Sequence, residues 1–570
     1  MPALMLLPLR TLSPIRLLPL LFALLVVAWG GGALSTPAVA KELAIGITQF
    51  PSTFHPNIDS MMAKTYVLGM TQRPLTTYDQ SWEGTCLLCT EMPTFENGLA
   101  VKENLPDGGE GVALTYKIQP KATWGDGTPV TSADAVFTWE VGRHPESGVS
   151  NAELYRRILA VDVIDDKTFV LHVDRISFDY GLVNDFNLLP AHIEQPIFEA
   201  GPAQYRQRTA FDSDPTNSGL AFGPYRIDRV VSGSEIALVP NETWWGTAPT
   251  FDRVTIKVIE NTSALEANLL SGAIDMVAGE LGLNIDQALA FEKRHGERFD
   301  IEYESGLIYE HIDLNLDNPV LQDKRMRQAL IQSIDREAIS AQLFQGRQPV
   351  AHGSVSPLDW VHSETAARYP FDPEKAASLL DEMGWTDIRD GVRHNADGEP
   401  LTFEIMTTAG NRTRELVQQV LQSQWRNLGI DVRVRNEPAR VFFGQTVSQR
   451  NFPAMAMFAW ISSPENVPRT VLHSDAIPTA ENNWAGQNYT GYNNPEMDLL
   501  LEEIEVELDR EKRKELWQRL QEIYAEDLPV IPLYWRANSH IRPDWLTGVR
   551  PTGHQAPTSL WVEEWGHEDP

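Results

Sequence analysis

The feature that most constrains the fold is a repeated switch between two periods of apolar residues. At 401–405 apolar residues alternate with polar ones, which is the pattern of a strand with one buried face. The segment 416–428 then places apolar residues three and four apart, as an amphipathic helix does, and Gly429 follows it. Alternation returns at 430–434. A strand–helix–strand unit of this kind predicts an α/β fold.

The same two patterns extend the α/β prediction over the rest of the chain. Alternation predicts strands at 112–118, 169–173 and 254–258, and a hairpin that joins 225–231 to 235–239. Apolar stripes predict helices at 326–334, 373–383, 497–508 and 516–524. Asp372 and Pro373 supply an N-cap and a first-turn proline for the second of these helices, and Gly384 supplies its end. We expect the apolar residues of these stripes to lie in the hydrophobic core.

The length of the chain bounds its organisation. At about 100–200 residues per domain, 570 residues predict roughly three lobes. The sequence has no repeat of fixed period and no low-complexity linker. Lobes without a long linker are expected to be joined by several chain crossings, and a cleft between them can close around a ligand.

The N-terminus has the parts of a secretory signal peptide. Arg10 and Arg16 precede an apolar run at 17–29, and the triplet 38–40 (AVA) is a small-x-small cleavage site. The alternative is a membrane anchor, but the run is too short to span about 30 Å of hydrocarbon. We predict that residues 1–40 are a signal peptide cleaved after Ala40, and that the exported product is not embedded in a membrane.

The chain has two cysteines, Cys86 and Cys89. In an oxidising export compartment the simplest expectation for this pair is a local disulfide. The alternative is a redox dithiol at a helix N-terminus, although Pro93 and the Thr- and Glu-rich flanks do not resemble a strand that leads into a helix. Two cysteines are too few for a four-cysteine zinc site.

Charge and motifs exclude several classes of function. The chain has 47 basic and 78 acidic residues, a net charge of −31, which repels phosphate backbones, so no nucleic-acid partner is expected. The catalytic and phosphate-binding patterns GxSxG, HExxH, GxxxxGK[ST] and GxGxxG are absent. Thirteen histidines lack metal-ligand spacing, so neither a metal nor another cofactor is expected. The sequence therefore favours binding over catalysis.

Five ordered groups of segments carry a family likeness: 114–139 (LTYKIQPKATWGDGTPVTSADAVFTW); 222–227, 238–246 and 269–276; 314–319, 325–330 and 334–336; 369–384; and 491–498. Together they resemble the extracellular solute-binding proteins of family 5, the periplasmic oligopeptide- and dipeptide-type receptors of ABC importers. Part of the likeness is structural, since Trp124–Gly127 is a tight turn, and Thr131 and Asp134 have the spacing of a capping box. We therefore do not expect Trp124 or Asp126 to contact a ligand.

The resemblance implies a type II Venus-flytrap fold of three lobes with a hinged cleft. Lobe I comprises 41–80, 206–305 and 530–570, lobe II comprises 81–205, and lobe III comprises 306–529. It also implies a monomeric, periplasmic, non-enzymatic protein that encloses an extended ligand between lobes I and III. The partners that it implies are a small-molecule or peptide ligand and the permease subunits of an ABC transporter.

One position departs from the peptide-binding pattern. Peptide-binding members carry an Asp shortly after a Trp, and this Asp pairs with the ligand α-ammonium. In the matching stretch 458–466 the Trp is Trp460, and the Asp position falls on Ser463. A neutral hydroxyl cannot compensate a buried ammonium. Glu465 is the acid that could substitute for the missing Asp.

The candidate ligand-binding residues follow from this likeness and are Trp460, Ser463, Trp484, Tyr492, Asn315 and Phe54. The function that we predict is capture of a peptide or peptide-like solute for an ABC importer. An alternative is the same receptor with a non-peptide solute such as an oligosaccharide, an opine or a metal chelate, which the missing Asp and the sixteen tryptophans favour. A remote alternative is a secreted hydrolase or a redox protein that uses Cys86 and Cys89.

Overall fold

The computed structural model describes residues 41–58, 61–106, 108–438, 441–481 and 486–568. The predicted signal peptide, its cleavage site after Ala40 and the candidate Trp484 lie outside the described residues. The described chain is a mixed α/β protein, as the alternating periods predict. Within these ranges, no helix combines the length and the apolar character needed to cross a membrane.

The strands are numbered in chain order. They are β1 (Glu42–Ile47), β2 (Thr76–Tyr78), β3 (Gly84–Cys86), β4 (Ala100–Asn104), β5 (Glu110–Lys117), β6 (Ile158–Asp165), β7 (Thr168–Val173), β8 (Tyr225–Val231), β9 (Glu235–Pro240), β10 (Arg253–Val258), β11 (Met276–Val277), β12 (Asp300–Leu314), β13 (Asp387–Arg389), β14 (Val392–His394), β15 (Thr402–Met406), β16 (Asp431–Val434), β17 (Met455–Ile461), β18 (Val530–Arg542), β19 (Leu546–Thr547) and β20 (Gly566–His567).

The α-helices are numbered in the same way. They are α1 (Met62–Thr71), α2 (Ser132–Arg143), α3 (Ala152–Arg157), α4 (Ala191–Glu199), α5 (Tyr205–Arg208), α6 (Ala210–Ser213), α7 (Thr262–Ser271), α8 (Ile285–His295), α9 (Pro319–Gln322), α10 (Lys324–Gln332), α11 (Arg336–Phe344), α12 (Pro373–Glu382), α13 (Arg412–Asn427), α14 (Arg469–Leu472), α15 (Pro495–Val506) and α16 (Arg510–Asp527).

A ten-stranded sheet organises most of the described chain, in the order β16-β15-β17-β12-β18-β11-β1-β10-β9-β8. Its β15–α13–β16 portion is the strand–helix–strand unit that the sequence predicts, and the two strands pair in parallel. The predicted hairpin is β8–β9, which pair antiparallel. Separate hydrophobic clusters pack on the β1 and β15 sides of this sheet.

A second, four-stranded antiparallel sheet has the order β4-β5-β7-β6 and its own buried cluster around Trp124. The capping box at α2 is present, with the Asp134 carboxylate accepting from the Thr131 N–H at 2.8 Å. Cys86 and Cys89 form the expected disulfide, with their Cα atoms 5.1 Å apart. Cys89 also forms a β-bridge with Ile118, the residue that follows β5. The disulfide therefore holds the end of β3 close to the end of β5.

Two long antiparallel strands, β12 and β18, cross the middle of the molecule. Their pairing joins residues 300–305 to 537–542 and residues 309–313 to 530–535, with a register shift between Ser305 and Tyr309. β11 extends the sheet from one end of this pair through Val277, and β17 pairs with the other end of β12. The crossing therefore connects the β1 half of the sheet to the β17 half and positions the cleft described below.

Candidate functional site

Two cavities meet at Ile461, the last residue of β17. The smaller, about 140 Å³, lies between β12, β17, β18 and the loop 354–359, and we call it the aromatic cavity. The larger, about 580 Å³, lies among segments 56–78, 149–187 and 554–560, and we call it the amide cavity. Ile461 lines both, and the residue is 57% exposed. Together the cavities form one cleft.

The strand that borders this cleft has an open edge. β17 pairs with β12 along its whole length, but it pairs with β15 only at Met455 and Ala456. The Ser462 N–H donates to the Leu307 carbonyl at 3.1 Å, and hydrogen-bonded pairs alternate in an antiparallel ladder. The main-chain groups of Ala459 and Ile461 therefore point away from β12, towards the edge that β15 leaves uncovered. An extended chain can add to such an edge.

Aromatic side chains form much of the wall of the smaller cavity: Tyr309, Trp460, Trp517, Tyr524 and Trp535. The Tyr309 and Trp535 rings lie 5.1 Å apart, and the hydroxyls of Tyr309 and Tyr524 are 3.1 Å apart. Trp460 stacks on Tyr489, with ring centroids 5.9 Å apart. These contacts fix the rings, so the cavity has a preformed shape.

The aromatic cavity also contains a buried histidine–aspartate pair on β12. His311 Nε2 lies 3.2 Å from Asp313 Oδ1, and both side chains are at least 95% buried. The other ring nitrogen, Nδ1, is 3.0 Å from the Tyr309 carbonyl, which can only accept, so this nitrogen carries a proton. Within the described residues, no group of three or more His, Cys, Asp or Glu side chains could hold a metal ion.

Glu465, the acid that could replace the missing Asp, is already engaged. Its carboxylate is bonded to the buried Arg513 guanidinium and accepts from Trp360 Nε1 at 2.9 Å. Burial raises the pKa of Glu465 and the Arg513 charge opposes that rise. The Glu465 N–H in turn donates to Asp359 at 2.7 Å. Glu465 therefore ties the 462–466 loop to α16 and presents no free charge to the cleft.

Neutral amides dominate the polar wall of the larger cavity. Its carboxamide side chains are Asn57, Gln72, Asn151, Asn184, Asn187 and Gln555. Asn57 Nδ2 donates to the Asn187 carbonyl at 2.8 Å, and Lys64 Nζ donates to the carbonyls of His55, Pro56 and Ile58. The charged residues in this lining are Lys64 and Asp185, and Asn151 Nδ2 donates to the Asp185 carboxylate at 2.8 Å. Amides both donate and accept, so the carboxamides suit a polar stretch of ligand.

A third cavity, about 660 Å³, is lined by Glu310. The β12 neighbours of Glu310, Tyr309 and His311, line the aromatic cavity. Glu310 and Arg414 are both buried there and are bonded at 2.6 Å. This pair joins α13 to β12. Because the two central charges satisfy each other, this cavity is the weaker candidate for a ligand site.

The structure brings two of the predicted residues together, because Trp460 and Ser463 both line the aromatic cavity. The other described candidates lie elsewhere. Asn315 is buried and donates to the Phe452 carbonyl at 2.6 Å, Tyr492 donates to Asp527 at 2.6 Å, and Phe54 packs in the β1 core. A ligand contact for any of the six candidates stays a prediction.

Sequence reasoning missed His311 and Asp313. The signal was present in the second half of β12, where Tyr309, His311 and Asp313 occupy alternate positions between Ile308, Ile312 and Leu314. Side chains two residues apart on a strand share one face. Polar groups on a buried face require partners, so this pattern could have indicated a built site.

Comparison with known proteins shows which family has this architecture. Residues 95–478 match the model of the bacterial extracellular solute-binding proteins, family 5. The oligopeptide-binding protein AppA of Bacillus subtilis is 26% identical over 529 residues, which cover 90% of each chain. The oligopeptide-binding protein of Thermus thermophilus, solved with a pentapeptide, is 28% identical, with a TM-score of 0.71 over 92% of this chain and 96% of that one.

A further structure, NikZ of Campylobacter jejuni with Ni(L-His), matches at 22% identity and a TM-score of 0.71, over 92% of this chain and 99% of that one. This likeness is one of fold. The fold and the cleft between the two halves of the crossed sheet define a solute-binding protein, not an enzyme. The chain belongs to the bacterial extracellular solute-binding proteins of family 5.

Proposed function

We propose that the protein is the periplasmic substrate-binding component of an ABC importer and captures a peptide or peptide-like solute. The solute lies in the cleft that the aromatic and amide cavities form, and it reaches the permease chemically unchanged. The proposal includes cleavage after Ala40 and three lobes: 41–80 with 206–305 and 530–570; 81–205; and 306–529. Two relatives whose names or titles specify oligopeptide binding, at 26% and 28% identity, support a peptide.

The observation that carries the proposal is the open edge of β17. Ala459 and Ile461 direct a donor and an acceptor each away from β12, towards the edge that β15 leaves uncovered, and Ile461 lines the cleft. An extended peptide offers the matching main-chain groups whatever its side chains are. The carboxamide wall of the amide cavity can bind further peptide groups in the same way.

The test uses matched peptides and the protein from residue 41 onwards. Pentapeptides are compared with copies in which one main-chain amide at a time is N-methylated, and binding is measured by calorimetry. We expect one or two positions at which methylation weakens binding about tenfold or more, because the strand-edge hydrogen bond and its space are lost. Positions that face solvent serve as controls. Equal affinity for every methylated copy would contradict strand addition.

A non-peptide solute is the second candidate, and Ser463 favours it. The one acid of the 462–466 loop is Glu465, and it is paired with Arg513. The loop therefore offers no free carboxylate to an α-ammonium. Native mass spectrometry of freshly isolated protein distinguishes the candidates. A bound mass that fragments into amino acids supports a peptide, and a saccharide or chelate mass supports the alternative.

A further inference from the structure

The charged groups that line the aromatic cavity do not balance. They are the carboxylates Asp313 and Asp359 and the imidazole of His311. The side chains of His311 and Asp313 are 1% and 5% exposed, and Asp359 is 7% exposed as a residue. Buried charges are ordinarily paired, so each of these groups has to be matched with its partner.

His311 offsets no more than one of these two carboxylates. Its Nδ1 donates to the Tyr309 carbonyl, and its buried Nε2 lies 3.2 Å from Asp313 Oδ1 without forming a hydrogen bond to it. The Asp313 carboxyl therefore keeps acceptor capacity for a further donor.

Asp359 remains as the uncompensated acid. It accepts from the Glu465 N–H at 2.7 Å and from the Val361 N–H at 3.3 Å, and burial nevertheless raises its pKa. Arg510 lowers that pKa from outside the cavity, but its guanidinium is 3.0 Å from Glu83.

Two buried guanidiniums, those of Arg513 and Arg336, are also engaged. Arg513 is bonded to Glu465. Arg336 donates to the carbonyls of Ala351, Pro532 and Tyr369. Neither is among the residues that line the cavity, so the lining carries at least one negative charge in excess.

Polar atoms without partners show that this space suits a polar guest. Among the described residues, Trp517 Nε1 and Ser354 Oγ are buried with no hydrogen-bond partner, and both residues line the cavity. Trp517 is 1% exposed. A cavity of about 140 Å³ has room for a side chain with water beside it, and that water can accept from these donors.

We propose that the aromatic cavity binds a cationic side chain of the ligand, an ammonium or a guanidinium, through Asp313, Asp359 and the surrounding aromatic rings. Aromatic faces attract cations, most strongly where water is excluded. A bound cation offsets the excess negative charge of the lining. The inference rests on the proposed function, because β17 would hold the ligand main chain at the mouth of the cavity, beside Ile461 and Ser463.

The test separates charge from shape. Alanine pentapeptides carry one arginine, moved through the five positions, and a second series carries citrulline, which has nearly the same shape without the charge. Both series are also made N-acetylated, which removes the α-ammonium. At one position we expect arginine to bind about tenfold or more tightly than citrulline, with or without acetylation.

The variant Asp359→Asn removes the uncompensated acid and is expected to bring the arginine-to-citrulline ratio at that position close to one. Asp387→Asn, on the exposed hairpin β13–β14, is the control and leaves the ratio unchanged. An unchanged ratio in folded Asp359→Asn overturns the inference. Should Asp359→Asn fail to fold, the ratio in the unsubstituted protein still decides. Ratios near one at every position, or a preference that acetylation abolishes, overturn the inference while the proposed function stands.

Failure of every peptide to bind contradicts the proposed function instead. The cavity is then tested with n-butylguanidinium against n-butylurea, followed by tryptophan fluorescence, since Trp460, Trp517 and Trp535 line it. Quenching by the cation alone, lost in Asp359→Asn, supports a cation site. Equal quenching by both probes, or by neither, overturns it.

Discussion

The pair formed by Glu465 and Arg513 shows how one residue can be committed to structure within a binding loop. Their side chains are 11% and 8% exposed, so removal of the cation leaves a buried carboxylate without its partner. We expect Arg513→Met to lower the free energy of unfolding by about 3–5 kcal/mol, measured by urea denaturation. Arg519→Met, in the same helix, removes an exposed pair with Glu496 and should cost no more than about 1 kcal/mol. Equal losses in the two variants would show that the Glu465 pair is not specially buried.

Residue roles could be predicted from the sequence where their partners are local. Asp372 caps α12 by accepting from the Lys375 N–H, and Thr131 and Asp134 form the capping box of α2, both at a spacing of three. The role of Glu465 could not be predicted, because Arg513 lies 48 residues away. A free Glu465 would be a plausible ammonium partner, and only the packing of α16 removes that possibility.

At the scale of elements, the crossing of β12 depends on a position without a side chain. A Cβ added at Gly306 would lie 2.2 Å from the Gly553 carbonyl oxygen, at the register shift between β12 and β18. Gly306→Ala therefore requires a backbone shift, and we expect a loss of about 1–3 kcal/mol in the free energy of unfolding. Gly353→Ala is the control, since nothing lies within 4 Å of its added Cβ. A neutral Gly306→Ala would mean that the backbone at Gly553 moves aside without measurable cost.

Most elements with strong periodicity could be predicted, and their arrangement could not. The unit β15–α13–β16, the hairpin β8–β9 and the helix α12 lie where the apolar patterns place them. The 15-residue strand β12 was not predicted, because its second half carries Glu310, His311 and Asp313 on buried positions. These polar side chains break the alternation. The ionic partners of Glu310 are Arg414 on α13 and Arg536 on β18, and periodicity in the sequence does not predict such long-range pairs.

At the scale of the whole molecule, the net charge of −31 has a kinetic consequence for a cationic ligand. A field of one sign raises the local concentration of the opposite charge and accelerates association. Salt screens that field, since the Debye length falls from about 30 Å at 0.01 M to about 3 Å at 1 M. The buried charges of the aromatic cavity are shielded from salt, so they should act on dissociation more than on association.

The surface charge should therefore act on the association rate, and the buried charges of the aromatic cavity on the dissociation rate. A measurement of affinity alone would not distinguish the two. For the arginine pentapeptide, we expect the association rate constant to fall severalfold between about 0.02 M and 0.5 M salt, measured by stopped-flow tryptophan fluorescence. The matched citrulline peptide is the control, and its association rate should vary much less. The slower dissociation of the arginine peptide should persist at high salt, because a desolvated charge pair is screened little. Dissociation rates that become equal at high salt would place the cation on the surface of the protein instead of in the cavity around Asp313.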